Sequence, residues 1–137
     1  MKFIALFLTL VFPFFTQAGE LKLLIQTHGL SGKNLFVAVH SIAADFPTRE
    51  DKALTRTVIA TGDKTELSLP NIASGEYAVV VFADVNGNGK LDSNFIGIPK
   101  EPVAVSRDAK GKFGPPKFAD AAFKVGEGIT TQTINIQ

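Results

Sequence analysis

The feature that most constrains the fold of this chain is a two-residue alternation of apolar side chains, repeated in short segments. In "ELKLLIQT" the residues Leu21, Leu23 and Ile25 fall on one side, and "NLFVAVH" repeats the pattern. Alternation with period two places successive side chains on opposite faces of a strand. Further segments of this kind are "RTVIA", "TELSLP", "GEYAVVVFAD", "DAAFKV" and "TTQTINIQ". Strands spaced by about ten residues, with Gly, Pro and Asn between them, predict an all-β, antiparallel β-sandwich of about seven strands.

One of these segments predicts the centre of the sandwich. In "GEYAVVVFAD" both the odd positions 77, 79 and 81 and the even positions 78, 80 and 82 are apolar. A strand that is apolar on both faces is covered on both sides. We therefore expect the loop that follows it to start from a rigid base.

The region "SIAADFPTREDKALTR" is the one place where a helix competes with a strand. Glu50 and Asp51 precede Lys52 and Arg56, which is the charge order that suits a helix dipole. We expect a loop with at most a short helix that starts near Thr48.

The first residues of the chain indicate export. Lys2 is followed by an apolar run over 3–15 and by "TQA", the order of a secretory signal. The run is too short to cross a bilayer core, so we expect cleavage after Ala18 and no membrane span afterwards. Residues 19–137 then form a single domain in the periplasm or outside the cell.

Charge and cysteine content exclude several classes of function. The full chain has a net charge of +1, which Lys2 takes away with the signal. No field remains that would attract nucleic acid. There are no cysteines, so thiol chemistry and zinc-thiolate sites are excluded, and the core must hold without disulfides.

The loop "DVNGNGKLD" after the central strand has the spacing of a calcium loop. Positions one, three, five and nine carry side-chain oxygens, and Gly89 stands at position six, where such a loop bends. Lys90 at position seven would contribute its carbonyl. Phe95 stands where an EF-hand has its bidentate Glu, which excludes a helix-loop-helix sensor. The candidate side-chain ligands for calcium are Asp84, Asn86, Asn88 and Asp92.

The same loop is also typical of a tight turn that needs no ion. Asn-Gly occurs twice, at 86–87 and at 88–89, and this pair favours turns with positive backbone angles. Asp and Asn side chains also cap their own turns by hydrogen bonds. Both interpretations stay open from sequence alone.

The segment "GIPKEP" suggests a ligand rim next to this loop. Lys100 and Glu101 lie between prolines and would present polar groups, with Phe95 and Phe113 as apolar contacts. Glu101 is also a candidate for the missing acidic calcium ligand if the chain folds back. The favoured alternative to a rim is that Phe95, Ile96 and Ile98 pack back onto the edge of the sandwich.

An enzyme is the alternative class of function. The only histidines are His28 and His40, and no "GxSxG" elbow accompanies any serine. Asp92 with Glu101 is a candidate acid pair for glycoside chemistry, which their spacing in the sequence does not constrain. The other candidate catalytic residues are Ser31, Ser41, Ser106, Asp45 and Asp108.

Longer stretches resemble a known family. "GEYAVVVFADVNGNGKLDSNFIGIPKEP", followed by "FGPPKFADAAFKV", resembles the domain of unknown function 2141 family, small exported bacterial proteins without an established activity. The resemblance covers nearly the whole mature chain and implies a secreted β-sandwich. The "L-P-x-x-x-x-G-E-Y" lead into a strand is similar to immunoglobulin-like and prealbumin-like domains of bacterial surface proteins, which is a likeness of fold alone.

Together these features predict a non-catalytic binding or structural module with a candidate calcium loop. The expected partner is an envelope protein or a surface glycan. The alternative is a small hydrolase of the cell envelope.

Overall fold

The structure is a computed structural model that describes residues 17–136. The expected signal segment therefore lies outside the described residues except for its last two positions. Within 17–136 no helix is long and apolar enough to cross a membrane. The strands are β1 (Gly19–Gln26), β2 (Asn34–His40), β3 (Leu54–Ile59), β4 (Lys64–Ile72), β5 (Gly75–Asp84), β6 (Val103–Val105), β7 (Phe123–Val125) and β8 (Ile129–Asn135). The helix α1 spans Phe118–Ala121, and short 3-10 helices span Ala43–Asp45, Glu50–Lys52 and Ser106–Asp108.

The eight strands form two packed sheets, which confirms the predicted β-sandwich. The smaller sheet has the order β4-β1-β8, and the larger has the order β3-β2-β5-β6. Strand β7 pairs with the first residues of β5, whereas β6 pairs with residues 80–82 of β5. All pairs are antiparallel except β1 with β8, which run parallel.

The main core lies between the two sheets and follows the alternation read from the sequence. Strand β1 alternates buried and half-buried positions along its length. Leu21, Leu23 and Ile25 are fully buried there. They face the inward side chains of β2 and β5, among them Val37, Val79 and Val81. Each large aliphatic side chain buried in this way contributes about 1.5 to 3 kcal/mol.

The central position of β5 is confirmed. It pairs with β2 along one edge and with β6 and β7 along the other. Its outer face is covered by a second, smaller apolar cluster, whose buried members are Phe46, Ala78, Val105 and Ala121. Apolar packing against both faces explains why both faces of β5 are apolar. Asp84 therefore lies at the end of a rigid strand.

Two segments differ from the sequence expectation. Strand β6 was not predicted, because its three residues are too few to show an alternation. "DAAFKV" was predicted as one strand, but α1 takes its first residues and β7 begins only at Phe123. The short helix expected near Thr48 is present as the 3-10 helix Glu50–Lys52.

Candidate functional site

The first half of the loop that follows β5 is organised around Asp84. This side chain is buried at the strand end. Its Oδ1 accepts hydrogen bonds from the backbone N–H of Gly87 at 2.7 Å and of Asn88 at 3.2 Å, and its Oδ2 accepts one from Gly89 at 2.8 Å. Gly87 and Gly89 have positive φ angles of 79° and 74°, which glycine adopts without strain. The two Asn-Gly pairs therefore form the tight turn that was one of the two interpretations of the sequence.

The other predicted calcium ligands also come together in this loop. The side-chain amides of Asn86 and Asn88 both donate to Oδ2 of Asp92, the second at 2.8 Å. The Oδ1 atoms of Asn86 and Asn88 accept the backbone N–H groups of Asn88 and Lys90, at 3.1 Å and 3.0 Å. Amide N–H groups, and not amide oxygens, thus face the Asp92 carboxylate.

This arrangement favours a self-bonded turn over an ion site. A cation would require oxygens to converge from several directions, so the amides of Asn86 and Asn88 would have to rotate. Within residues 17–136, no three His, Asp or Glu side chains are grouped together, and the predicted ligand set itself contains only two carboxylates, Asp84 and Asp92. The melting experiment in calcium and in chelator, given in the Discussion, decides between the turn and the calcium site.

Glu101 joins the two ends of the first half of the loop, residues 85–92. Its Oε1 accepts the backbone N–H of Val85 at 2.9 Å, and its Oε2 accepts that of Asp92 at 3.1 Å. Only 8% of the residue is exposed. The chain does fold back as one sequence interpretation required, but both carboxylate oxygens bond to the backbone of the loop. Glu101 therefore lies beneath the loop and not on its rim.

Lys100, in contrast, is exposed beside this buried acid. Its backbone N–H donates to the carbonyl of Asp92 at 2.8 Å, which joins the two arms of the loop. Both residues line an open depression of about 380 Å³ at the base of the loop. Of the two polar groups expected at the rim, only Lys100 is available to a ligand.

The tip of the loop is a second compact turn. Oδ1 of Asn94 accepts the backbone N–H groups of Ile96 and Ile98, at 3.1 Å and 2.9 Å. The exposed fractions of Phe95, Ile96 and Ile98 are 99%, 64% and 55%. The interpretation that these three side chains pack back onto the sandwich is therefore wrong. The turn at Asn94 and Gly97 holds them away from the sheets.

The candidate catalytic residues do not assemble into a nucleophilic site. His28 lies next to Asp63, with 3.6 Å between Nδ1 and Oδ1, and both are exposed. His40 is buried at the end of β2. Among residues 17–136, no serine hydroxyl is hydrogen-bonded to either histidine.

Ser106 has a structural role that the sequence did not show. It is fully buried, and its hydroxyl donates to the carbonyl of Ala121 at 2.6 Å. The same oxygen accepts the backbone N–H of Val79 at 3.0 Å. Ser106 thereby ties α1 to the central strand.

Residues 27–133 match the family described as "Uncharacterized protein conserved in bacteria (DUF2141)". The chain belongs to the DUF2141 family. The match includes the loop and every strand from β2 to β7, together with most of β8. Neither curated proteins nor solved structures give a match to the chain. Since the DUF2141 description states no activity, the function has to be inferred from the geometry of the loop.

Proposed function

We propose that this protein is an exported, non-catalytic binding module that presents the tip of the 85–102 loop to an envelope protein. Export is supported by the signal-like sequence before Gly19, the residue at which β1 begins.

The observation that carries this proposal is the exposure of Phe95, Ile96 and Ile98 on a well-fixed loop. Exposed apolar groups scattered singly are normal on a protein surface, but adjacent ones mark interaction sites. Here three of them lie within the four consecutive residues 95–98, and the loop beneath them is held by the buried carboxylates of Asp84 and Glu101.

The rigidity of the loop favours binding. A loop that is ordered before binding loses little conformational entropy when it meets a partner. Aromatic and aliphatic side chains that enter a pocket supply most of the affinity at protein interfaces. The loop therefore has both an apolar anchor and a fixed orientation for it.

The chemistry of the tip favours a protein over a glycan. Sugar recognition needs several polar groups placed to bond with hydroxyls, whereas Phe95, Ile96 and Ile98 offer only apolar side chains. A complementary surface is an apolar pocket on a partner protein.

The proposal is tested by comparing two double variants in pull-downs from envelope extracts. Phe95→Ser with Ile96→Ser removes the apolar tip. Ile59→Thr with Ile129→Thr removes two side chains of similar exposure, 58% and 70%, that belong to β3 and β8 and not to the loop. We expect wild type and the Ile59/Ile129 variant to retain the same envelope protein. The tip variant should not retain it.

Two results would contradict the proposal. Equal retention by the tip variant and the control would exclude the loop as the binding surface. Binding of wild type to vesicles of envelope lipid, lost in the tip variant, would mean that the tip inserts into a membrane instead of a protein pocket.

A further inference from the structure

His40 is a buried polar residue without a polar partner. It is the last residue of β2, and 1% of it is exposed. Neither Nδ1 nor Nε2 has a hydrogen-bond partner within the described residues. Buried polar atoms are nearly always paired, because each one left unpaired costs about 1 to 3 kcal/mol. An orphaned imidazole at this position therefore needs an explanation.

The ring is buried by the segment 41–53, which we call the cover. The cover connects β2 to β3 and contains two 3-10 helices. Its Phe46 ring meets the His40 ring edge-on, with centroids 5.4 Å apart, and meets Phe118 of α1 at 5.8 Å. Phe46 is the residue of the cover that is buried in the second apolar cluster.

The cover is held by much less apolar surface than the rest of the fold. The second cluster has four buried residues, whereas the main core has seventeen. Regions with few buried apolar contacts open locally before the whole fold does. Release of the cover would leave the main core between the two sheets intact.

Burial and the charged groups around His40 determine which protonation state of its ring is stable while the cover is closed. Burial lowers the pKa of the His40 imidazole below its ordinary value of 6.5, and attraction to Glu50 and Asp45 of the cover opposes this only in part. Arg49 is engaged by Asp51 through two hydrogen bonds of 2.9 Å. The neighbouring elements face the cluster with apolar side chains, namely Ala78 from β5, Val105 from β6, and Phe118 and Ala121 from α1.

We propose that the cover is released by acid and that protonation of His40 is the trigger. An imidazolium carries two N–H donors, and the closed cover offers neither of them an acceptor. Opening hydrates the ring and removes that cost. Protonation therefore favours the open state, and the closed state is favoured near neutral pH.

Opening also changes the outer face of the larger sheet. A groove of about 470 Å³ lies there, with Phe36, Val80 and Phe82 among its lining residues. The Phe36 and Phe82 rings are stacked 4.8 Å apart. Pro47 and Glu50 of the cover line the same groove. Release of the cover would therefore enlarge an apolar groove that Gly89, Lys90 and Leu91 of the 85–102 loop also line.

Hydrogen exchange of the wild-type protein at pH 7.5 and pH 5 tests this proposal. The reporting amides are Phe46, Arg49 and Ala53, whose N–H groups bond within the cover. After correction for intrinsic rates, we expect their opening to rise by about tenfold per pH unit between 6.5 and the lowered pKa of His40. The amide of Leu23 in β1 should keep its protection.

Two variants separate the trigger from a general effect of acid. His40→Leu removes the titrating group at similar volume, so the pH response of the cover should disappear. His28→Gln removes the exposed histidine and should leave that response unchanged. Equal opening of the cover amides at the two pH values in wild type would overturn the proposal. A pH response of those amides that persists in His40→Leu would also overturn it.

Titration of wild type by NMR gives a readout that does not depend on any variant folding. The chain has two histidines, so few imidazole signals have to be assigned. We expect the His40 ring to titrate below the ordinary histidine pKa of 6.5, together with shifts of the Phe46 and Phe118 resonances. Titration of His40 at its ordinary pKa, without those shifts, would show that no cover is released.

Discussion

The substitution Glu101→Gln removes one hydrogen-bond acceptor from the base of the loop at almost constant side-chain volume. In wild type the two carboxylate oxygens accept the N–H groups of Val85 at 2.9 Å and Asp92 at 3.1 Å. Glutamine has one amide oxygen and presents an NH₂ group in place of the other oxygen. One of the two backbone donors would therefore face another donor.

The expected cost follows from this geometry. A hydrogen bond to a charged group contributes about 1.5 to 3 kcal/mol, and an unsatisfied buried donor costs about 1 to 3 kcal/mol. Glu101 is 8% exposed, so water cannot easily replace the lost acceptor. We expect the free energy of unfolding to fall by about 2 kcal/mol, which lowers the melting temperature by roughly 4 to 10 °C in a domain of this size.

Urea unfolding and thermal melting, followed by circular dichroism, measure this loss. Glu76→Gln is the matched control, because Glu76 is exposed on β5. The control should change stability by less than about 0.5 kcal/mol. Hydrogen exchange should also show faster opening at the amides of Val85 and Asp92 in Glu101→Gln. If Glu101→Gln were as stable as Glu76→Gln, the carboxylate would not be fixing the loop.

Three further predictions concern the turn, the core and export. Melting curves of wild type in about 3 mM calcium and in chelator should coincide, because the Asp84 oxygens already accept three backbone N–H groups. A calcium site with a Kd near ~0.3 mM would instead add roughly 1.4 kcal/mol and raise the melting temperature by about 3 to 7 °C. Val81→Ala should cost about 1 to 3 kcal/mol, whereas the loop change Lys112→Ala should cost less than about 0.5 kcal/mol; equal costs in denaturant unfolding would contradict the core assignment. Mass spectrometry of the mature protein should find its amino terminus within a residue or two of Gly19, and an intact Met1 in the envelope fraction would contradict export by cleavage.

Alternation alone was enough to predict most of the sandwich, because β1, β2 and β5 are long and each buries at least one face. Strand β1 shows this most clearly, since every second side chain enters the main core. Strand β6 could not be predicted, since three residues after Pro102 carry no periodic signal. The parallel pairing of β1 with β8 could not be predicted either, because alternation does not determine which strands pair or in which direction.

The candidate site was predictable in its residues but not in its geometry. The spacing of Asp84, Asn86, Asn88 and Asp92 showed that their side chains could converge, and they do. Sequence could not show that the Asp84 carboxylate accepts three backbone N–H groups of its own loop. Nor could it place Glu101, because its position depends on where the chain returns after seventeen residues.

Hydrophobicity was misleading at the tip of the loop. Phe95, Ile96 and Ile98 were expected to pack inward because apolar side chains usually do. Local turn bonds at Asn94 override that tendency and leave these side chains exposed. The burial of His40 was equally hidden, since it depends on the distant packing of Phe46 against α1.

Site-specific photo-crosslinking in cells tests the proposed binding surface most directly. A photoreactive phenylalanine analogue replaces Phe95 in one strain and Ile129, an exposed apolar residue of β8, in another. We predict that irradiation joins the protein to one discrete envelope protein from position 95 and not from position 129. The absence of any crosslinked protein at position 95, or the same products from both positions, would contradict the assignment of the loop tip as the binding surface.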